Sequence, residues 1–282
     1  MVNIVKGIDI VREKKEHLTA EINELTVKPN LTIIRVGEDA DQLYYEQACH
    51  RILGNIGFDV NSVVLPSTVE QTVFDKAFEQ VNDDKDVHGI LLLKPLPEHL
   101  SDEYASRVIH EAKDVDCFGQ TNMLKIYQGD FSGYLPCTAQ ACLEIIDYLE
   151  LDLKGMRTVV AGYSMVVGKP LALALMARGA TLKICRSTTK DLAKECRDQE
   201  LIISAMGQAQ MIQENYVNEE AVVIDVGINP TEDGKIVGDV AFESVHEQVK
   251  AITPVPGGVG TVTNFVLAKH VMKAYKILNM YK

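Results

Sequence analysis

Residues with chemical potential gather at six places in this chain. Tyr44 and Tyr45 stand together, and Cys49 lies four residues past Tyr45, which on a helix puts phenol and thiol on one face. Adjacent tyrosines are more often core or rim residues than ligands, so both readings stand. Lys94-Pro95-Leu96-Pro97 stops an apolar run abruptly, and strand alternation sends Leu93 and Lys94 to opposite sides. Lys113-Asp114-Val115-Asp116 sets two carboxylates two residues apart, as a solvated turn or as a ligand contact. Gly162-Tyr163-Ser164-Met165-Val166-Val167-Gly168-Lys169-Pro170 follows a buried run and precedes a helical one, the context a nucleotide-binding turn requires. Its match to GxGxxG is poor, because Ser164 takes the place of the second glycine and the last glycine comes late. Cys185-Arg186-Ser187-Thr188-Thr189 offers a cation and hydroxyls with no acid before Asp191. Charge therefore favours the extra phosphate of NADP over the bare ribose of NAD, against the plain alternative of a solvated arginine at a loop start.

The sixth place is Ile252–Thr263, ITPVPGGVGTVT. Pro254 and Pro256 fix two φ angles and remove two amide donors, while Gly257, Gly258 and Gly260 allow positive φ and bare backbone approach. It reads either as an ordinary Pro/Gly turn or as a backbone platform for a flat ligand, closed by a helix start whose amides face an anion.

The elements that hold these residues follow from hydrophobic pattern. Residues 4–26 read as a charged-faced helix ended by Pro29, and Leu31–Val36 as the first buried strand. After the turn Gly37–Asp41 come helix Gln42–Ile56, strand Val60–Leu65, helix Val69–Val81 and strand His88–Leu93. That alternation is the pattern of parallel βαβ units, with ligands expected at the carboxyl ends of the strands. Cys137–Leu149 reads as a connecting helix after the turn Gly133–Pro136. Strands at Arg157–Ala161, Thr181–Cys185, Leu201–Ala205 (followed by Gly207) and Ala221–Val226 (followed by Gly227) make residues 156–228 one nucleotide domain, with a helix at Leu171–Arg178. Val262–Lys282 has helical character.

The totals narrow the function class. At 282 residues and 46% hydrophobic content, two cores are expected. The opening MVNIVKGIDI turns charged at once, so neither a signal peptide nor a membrane span is expected, and the location expected is cytoplasmic. Cys49, Cys117, Cys137, Cys142, Cys185 and Cys196 contain no CxxC pair and read as reduced thiols, and HExxH is absent, so no metal site is expected. A net charge of −12 argues against nucleic acid as a partner.

Taken in order, the tyrosine helix, GILLLKPLP, KDVDCF, PCTAQ, GYSMVVGKP, VVIDVGIN, KIVGDV and ITPVPGGVGTVT resemble the methylenetetrahydrofolate dehydrogenase/cyclohydrolases over nearly the whole chain. The resemblance implies an α/β protein of two domains. An N-terminal three-layer α/β domain on the folate side would take residues 1–138 and 265–282, its C-terminal helix packing back on it. A Rossmann-type domain would take 139–264. It also implies a homodimer, a tetrahydrofolate derivative as substrate, and NADP first as cofactor, with NAD close behind. By position, Tyr45 matches the tyrosine that stacks near the folate ring, and Asp116 the aspartate that hydrogen-bonds the pterin. Pro256, Gly257 and Gly258 match the loop between pterin and nicotinamide. Gly162, Tyr163, Ser164, Val167, Gly168 and Gly207 fall on the cofactor side, with Ile228 near the nicotinamide and Ser187 at the 2′-phosphate.

Departures from the family's pattern concern both sites. The family's lysine four residues after the tyrosine is Cys49 here, and its glutamine two residues before the first proline of PLP is Leu93. That pair is credited with the hydrolytic half of the activity: a lysine of lowered pKa shuttles protons and the glutamine holds it. The expectation is therefore a dehydrogenase with its cyclohydrolase step lost or weak, because hydride transfer mainly needs two rings held in line. One alternative is the full bifunctional enzyme, with Lys94 or Cys49 and water doing the hydrolysis. The other is a catalytically silent relative that binds folate and nucleotide. On the cofactor side, Tyr163 stands where many members have arginine, and Arg186 replaces a common histidine and could compensate.

Overall fold

The computed structural model describes residues 3–280. In chain order its strands are β1 (Asn3–Ile4), β2 (Asn30–Val36), β3 (Asp59–Leu65), β4 (Gly89–Leu92), β5 (Arg157–Ala161), β6 (Thr181–Cys185), β7 (Leu201–Ser204), β8 (Val222–Asp225), β9 (Asn229–Pro230), β10 (Ile236–Val237) and β11 (Ala251–Ile252). The chain divides into two compact units, one of residues Glu13–Cys137 with Asn264–Lys282, the other of Met1–Arg12 with Thr138–Thr263.

The first unit is built on a parallel sheet of order β3-β2-β4. Ile34 and Val36 of β2 and Ile90 and Leu92 of β4 pack with Phe74, Phe78 and Val81 of the helix Gln71–Asp83. Strand alternation turns Ile33 and Leu91 to the opposite face, where Gly89 lies so close to Val115 and to Val271 of the C-terminal helix Val259–Asn279 that a Cβ would meet their methyls at 3.0 and 3.1 Å. Helices on both faces explain why β2 and β4 read as continuous apolar runs. The buried pair Arg35–Glu46 fixes the helix Ala40–Gly54 to β2, and Gln42 Nε2 donates to Pro95 O at 2.8 Å, tying that helix to the turn after β4.

The second unit is a six-stranded parallel sheet of order β1-β11-β8-β7-β5-β6. Val159, Ile202, Val223 and Ile252 from four adjacent strands share its core. The N-terminal segment departs from expectation. Residues 4–26 are not one helix: β1 pairs in register with β11, and the helix runs over Gly7–Asn23. This pairing is why the segment up to Arg12 groups with the six-stranded unit and not, as the sequence suggested, with the folate-side domain. A two-residue strand whose partner lies at the far end of the chain leaves no local periodicity to read.

Candidate active site

In the three-stranded unit, burial at every third or fourth position of the helix Ala40–Gly54 (Gln42, Glu46, Cys49, Leu53) leaves Tyr44 exposed and Tyr45 at the edge of the buried face. The Tyr45 hydroxyl donates to the Cys49 thiol and lies near Asp116 and Cys137. Burial, then the neighbouring Cys49 and Asp116, hold its pKa well above the usual phenol range. Cys49 is 0% exposed, and burial pushes its thiol up to about 12, with Tyr45 partly offsetting and Asp116 and Glu46 adding.

Asp116 accepts from Cys137 N at 3.0 Å, at the start of the helix Cys137–Tyr148. Burial raises its pKa, while Cys137 and the charge of Lys94 lower it. Its neighbour Asp114 is 0% exposed and is no solvated turn residue. The Asp114 carboxylate accepts from Phe118 N at 2.9 Å, Gly119 N at 3.1 Å and Asn122 Nδ2 at 2.8 Å, and so shapes the loop that presents Asp116. Burial lifts it to about 7.

Leu93 continues the ladder beyond β4, its N donating to Ile34 O at 2.9 Å, and is buried. Lys94 is the next residue, pairs with Asp102, lies 4.9 Å from the centre of the Phe118 ring, and still influences Asp116. At the strand end Lys94 is exposed, engaged by Asp102 and the Phe118 ring, and acts on Asp116 through its charge. Tyr45, Cys49, Asp116 and Cys137 form one cluster, with Lys94 within electrostatic reach of it.

In the six-stranded unit, β5 runs into Gly162, where φ is +140° and a Cβ would stand 2.4 Å from Ala205 O. At Gly168 a Cβ would stand 2.3 Å from Gly162 O. These two glycines do the work of the GxGxxG spacing, with a longer turn between them: the first permits the strand end, the second lets the helix Gly168–Ala177 close on it. Ser164 Oγ accepts from Val167 N at 3.1 Å and pins the turn from inside. Tyr163 is exposed, as are Arg186, Ser187 and Ile228. Asp191, the first acid after β6, caps the helix Leu192–Arg197 by accepting from Lys194 N. The tight glycine approaches and the exposed cation-and-hydroxyl strand end fit a dinucleotide. Among the described residues no group of three or more His, Cys, Asp or Glu side chains is placed to hold a metal ion.

Pro256 and Gly257 are exposed and Gly258 is buried. Their loop is held by the N-terminal segment: Val5 N donates to Ile252 O and Gly7 N to Gly257 O, both at 2.8 Å. Gly7 has no room for a side chain, since a Cβ would meet Gly258 O at 2.4 Å.

Sequence reasoning missed Asp225 and Asp239. Asp239 is 0% exposed and accepts from Ser204 Oγ at 3.1 Å, Met206 N at 2.6 Å, Gly207 N at 3.3 Å, Gln208 N at 2.8 Å and Asn229 Nδ2 at 3.0 Å. It therefore sets the backbone around two expected cofactor positions, Gly207 and Ile228. Asp225 in turn accepts from Gly227 N at 2.9 Å, Asp239 N at 3.0 Å and Val240 N at 2.9 Å. The fold shows what links them: at Gly227 a Cβ would stand 2.3 Å from the Asp239 carboxylate, and at Gly238 1.9 Å from that of Asp225.

Comparison with known proteins agrees with this arrangement. Residues 5–116 match the family described as "Tetrahydrofolate dehydrogenase/cyclohydrolase, catalytic domain", and residues 136–279 match its "NAD(P)-binding domain". The chain is 44% identical over 279 residues to the bifunctional protein FolD of Clostridioides difficile (strain 630), covering 98% of this chain and 97% of that one. A crystal structure of the bifunctional enzyme FolD, methylenetetrahydrofolate dehydrogenase/cyclohydrolase, from Campylobacter jejuni superposes with a TM-score of 0.95 at 34% identity, over 98% of this chain and 99% of that one. The FolD structure from Trypanosoma brucei, complexed with NADP cofactor and inhibitor, gives 0.92 at 29% identity over 98% of each chain. With both domain matches lying in order along its length, the chain belongs to the tetrahydrofolate dehydrogenase/cyclohydrolase family.

Proposed function

We propose that this chain oxidises methylene-tetrahydrofolate by hydride transfer to NADP and then hydrolyses the methenyl product. The observation that carries the reading is the cluster of Tyr45, Asp116 and Lys94 at the strand ends of the three-stranded unit: a phenol for the folate ring, a carboxylate for the pterin and a cation beside them. When bound, NADP supplies the hydride acceptor; Gly162, Ser164 and Gly168 would receive it, and Arg186 and Ser187 would meet its adenosine end. The use of Asp191 as a helix cap supports NADP over NAD, as does the NADP held by the trypanosomal relative.

The curated relatives are named bifunctional, which favours two reactions over a dehydrogenase with weak hydrolysis. In this chain the cation for the hydrolytic step is then Lys94, since Cys49 is a neutral, buried thiol. The second reading, dehydrogenase alone, is favoured by one observation: the side chains of Cys49 and Leu93, both buried, bring neither a cation nor an amide to the cluster.

Two assays on the purified chain decide. Methylene-tetrahydrofolate should yield reduced NADP, and failure with both NADP and NAD sinks the dehydrogenase. Methenyl-tetrahydrofolate should decay faster than in buffer and slow in Lys94→Met. Decay at the buffer rate selects the second reading.

A further inference from the structure

Two cations share the ring of Tyr163. Lys169 Nζ lies 4.6 Å and Arg186 Cζ 5.6 Å from its centre. They come from different elements, Lys169 from the first turn of the helix Gly168–Ala177 and Arg186 from the residue after β6. Both distances are shorter than the Debye length of about 8 Å at physiological salt, so salt only partly screens either charge in the space around the ring.

Among the described residues neither cation has a carboxylate partner. Lys169 Nζ otherwise contacts only Met165 Sδ, at 3.2 Å. At Arg186 it is the backbone N that donates, to Thr189 Oγ1 at 2.9 Å. The acids nearby in sequence are engaged: Glu195 pairs with Lys183 at 3.0 Å and Asp191 caps its helix. Two like charges brought to one exposed ring repel unless an anion joins them, and a dianion with three acceptor oxygens satisfies both. The ring attracts each cation through its quadrupole and so holds them ready.

We propose that Lys169 is a specificity-determining residue that grips the 2′-phosphate of NADP together with Arg186, with Tyr163 as the aromatic spacer that aims both. Tyr163 itself brings no charge; it recruits one from the helix behind it. The inference rests on the dinucleotide reading of this unit, and the test separates the two.

The test is calorimetric titration of the full chain with 2′,5′-ADP and, separately, 5′-AMP, two probes that differ by the phosphate in question. The unsubstituted chain should bind 2′,5′-ADP the more tightly. Lys169→Gln should weaken 2′,5′-ADP about tenfold while 5′-AMP changes by less than about twofold, as expected for one charge-assisted contact. Lys169→Arg should restore the preference, which a merely structural role of the side chain would not predict. A Lys169→Gln chain that keeps the full preference overturns the proposal and leaves the dinucleotide reading intact. Should the unsubstituted chain bind neither probe, both fall.

Discussion

Cys49 stands where the resemblance to the family puts a lysine, and its thiol brings the folate-side cluster no cation. Cys49 sits among Tyr45, Glu46 and Asp116, all of which are phenol or acid, and burial keeps it protonated. Only the thiolate attacks alkylating reagents, so Cys49, Cys117 and Cys137, each raised by burial, should resist iodoacetamide at pH 8 in the native chain. Mass spectrometry should find all six cysteines modified after unfolding; rapid native labelling of Cys49 would mean that the cluster opens. Installing the missing pair, Cys49→Lys with Leu93→Gln, should raise methenyl-tetrahydrofolate hydrolysis by at least about tenfold, the scale of one positioned acid-base group; an unchanged rate would place the hydrolytic group elsewhere. Asp225 makes a different prediction. Burial raises its carboxyl to about 6, and its three backbone donors only partly offset this. A folded pKa above the unfolded value of about 3.9 gives a contribution to stability that is complete below pH 4 and lost as pH rises through about 6. The stability gap between the unsubstituted chain and Asp225→Asn should therefore shrink by roughly 2–3 kcal/mol between pH 4 and pH 7 in urea titrations. A gap that widens would show that the fold favours the carboxylate.

At the scale of elements, what the strands carry matters less than how their ends are tied. Asp239 gathers three consecutive amides, Met206 to Gln208, with Ser204 and Asn229, so one carboxylate fixes two loops. Asp239→Ala removes the acceptor of the buried Ser204 hydroxyl and of the half-buried Met206 and Asn229 donors, at about 1–3 kcal/mol for each one that water cannot reach. It should raise the KM for NADP well before it lowers the far-UV circular dichroism; an unchanged KM in a folded variant would make the carboxylate dispensable. Gly168→Ala should act likewise on the other side of the cofactor, because the added methyl meets the carbonyl of Gly162 and the helix must back away. These ties explain what could be read from the amino-acid pattern. β2, β4, β5, β7 and β8 were legible because a strand covered on both faces is mostly apolar, with runs such as Ile33-Ile34, Ile90–Leu92, Val159–Ala161, Leu201–Ile203 and Val222–Ile224. β1 and β11, two residues each, and the short hairpin β9–β10 were not, since they exist only through their partners. Tyr45 and Asp116 were named by resemblance and the glycine turn by its context, and the fold brings Tyr45 and Asp116 near each other. Asp239 gave no local signal, because its role depends on amides some thirty residues earlier that only the sheet brings near.

At the scale of the whole molecule, the chain passes between its units inside helices and not through linkers. The divisions fall at Arg12, Cys137 and Thr263, within the helices Gly7–Asn23, Cys137–Tyr148 and Val259–Asn279. The three-stranded unit thus depends on a segment that follows the whole of the other unit in sequence. Phe265, Val266, Leu267, Val271 and Met272 are each at most 4% exposed, and at about 1.5–3 kcal/mol per buried side chain they contribute roughly 7–15 kcal/mol, as much as a whole domain's usual margin. Polar ties add to this: His270 Nδ1 donates to Val115 O at 2.7 Å, next to Asp116, and Lys273 Nζ donates to Ser132 O and Gly133 O at 2.7 and 2.6 Å. A chain ending at Thr263 should therefore lose the three-stranded unit outright and with it folate binding. All six strands of the other sheet lie before that cut. Hydrogen exchange followed by mass spectrometry would read this directly: amides of β2 and β4 should exchange as in an unfolded chain, while those of β5, β7 and β8 stay protected. Protection retained in β2 would mean that the N-terminal helices close the core unaided, and the C-terminal helix would then be a cover and not a structural member.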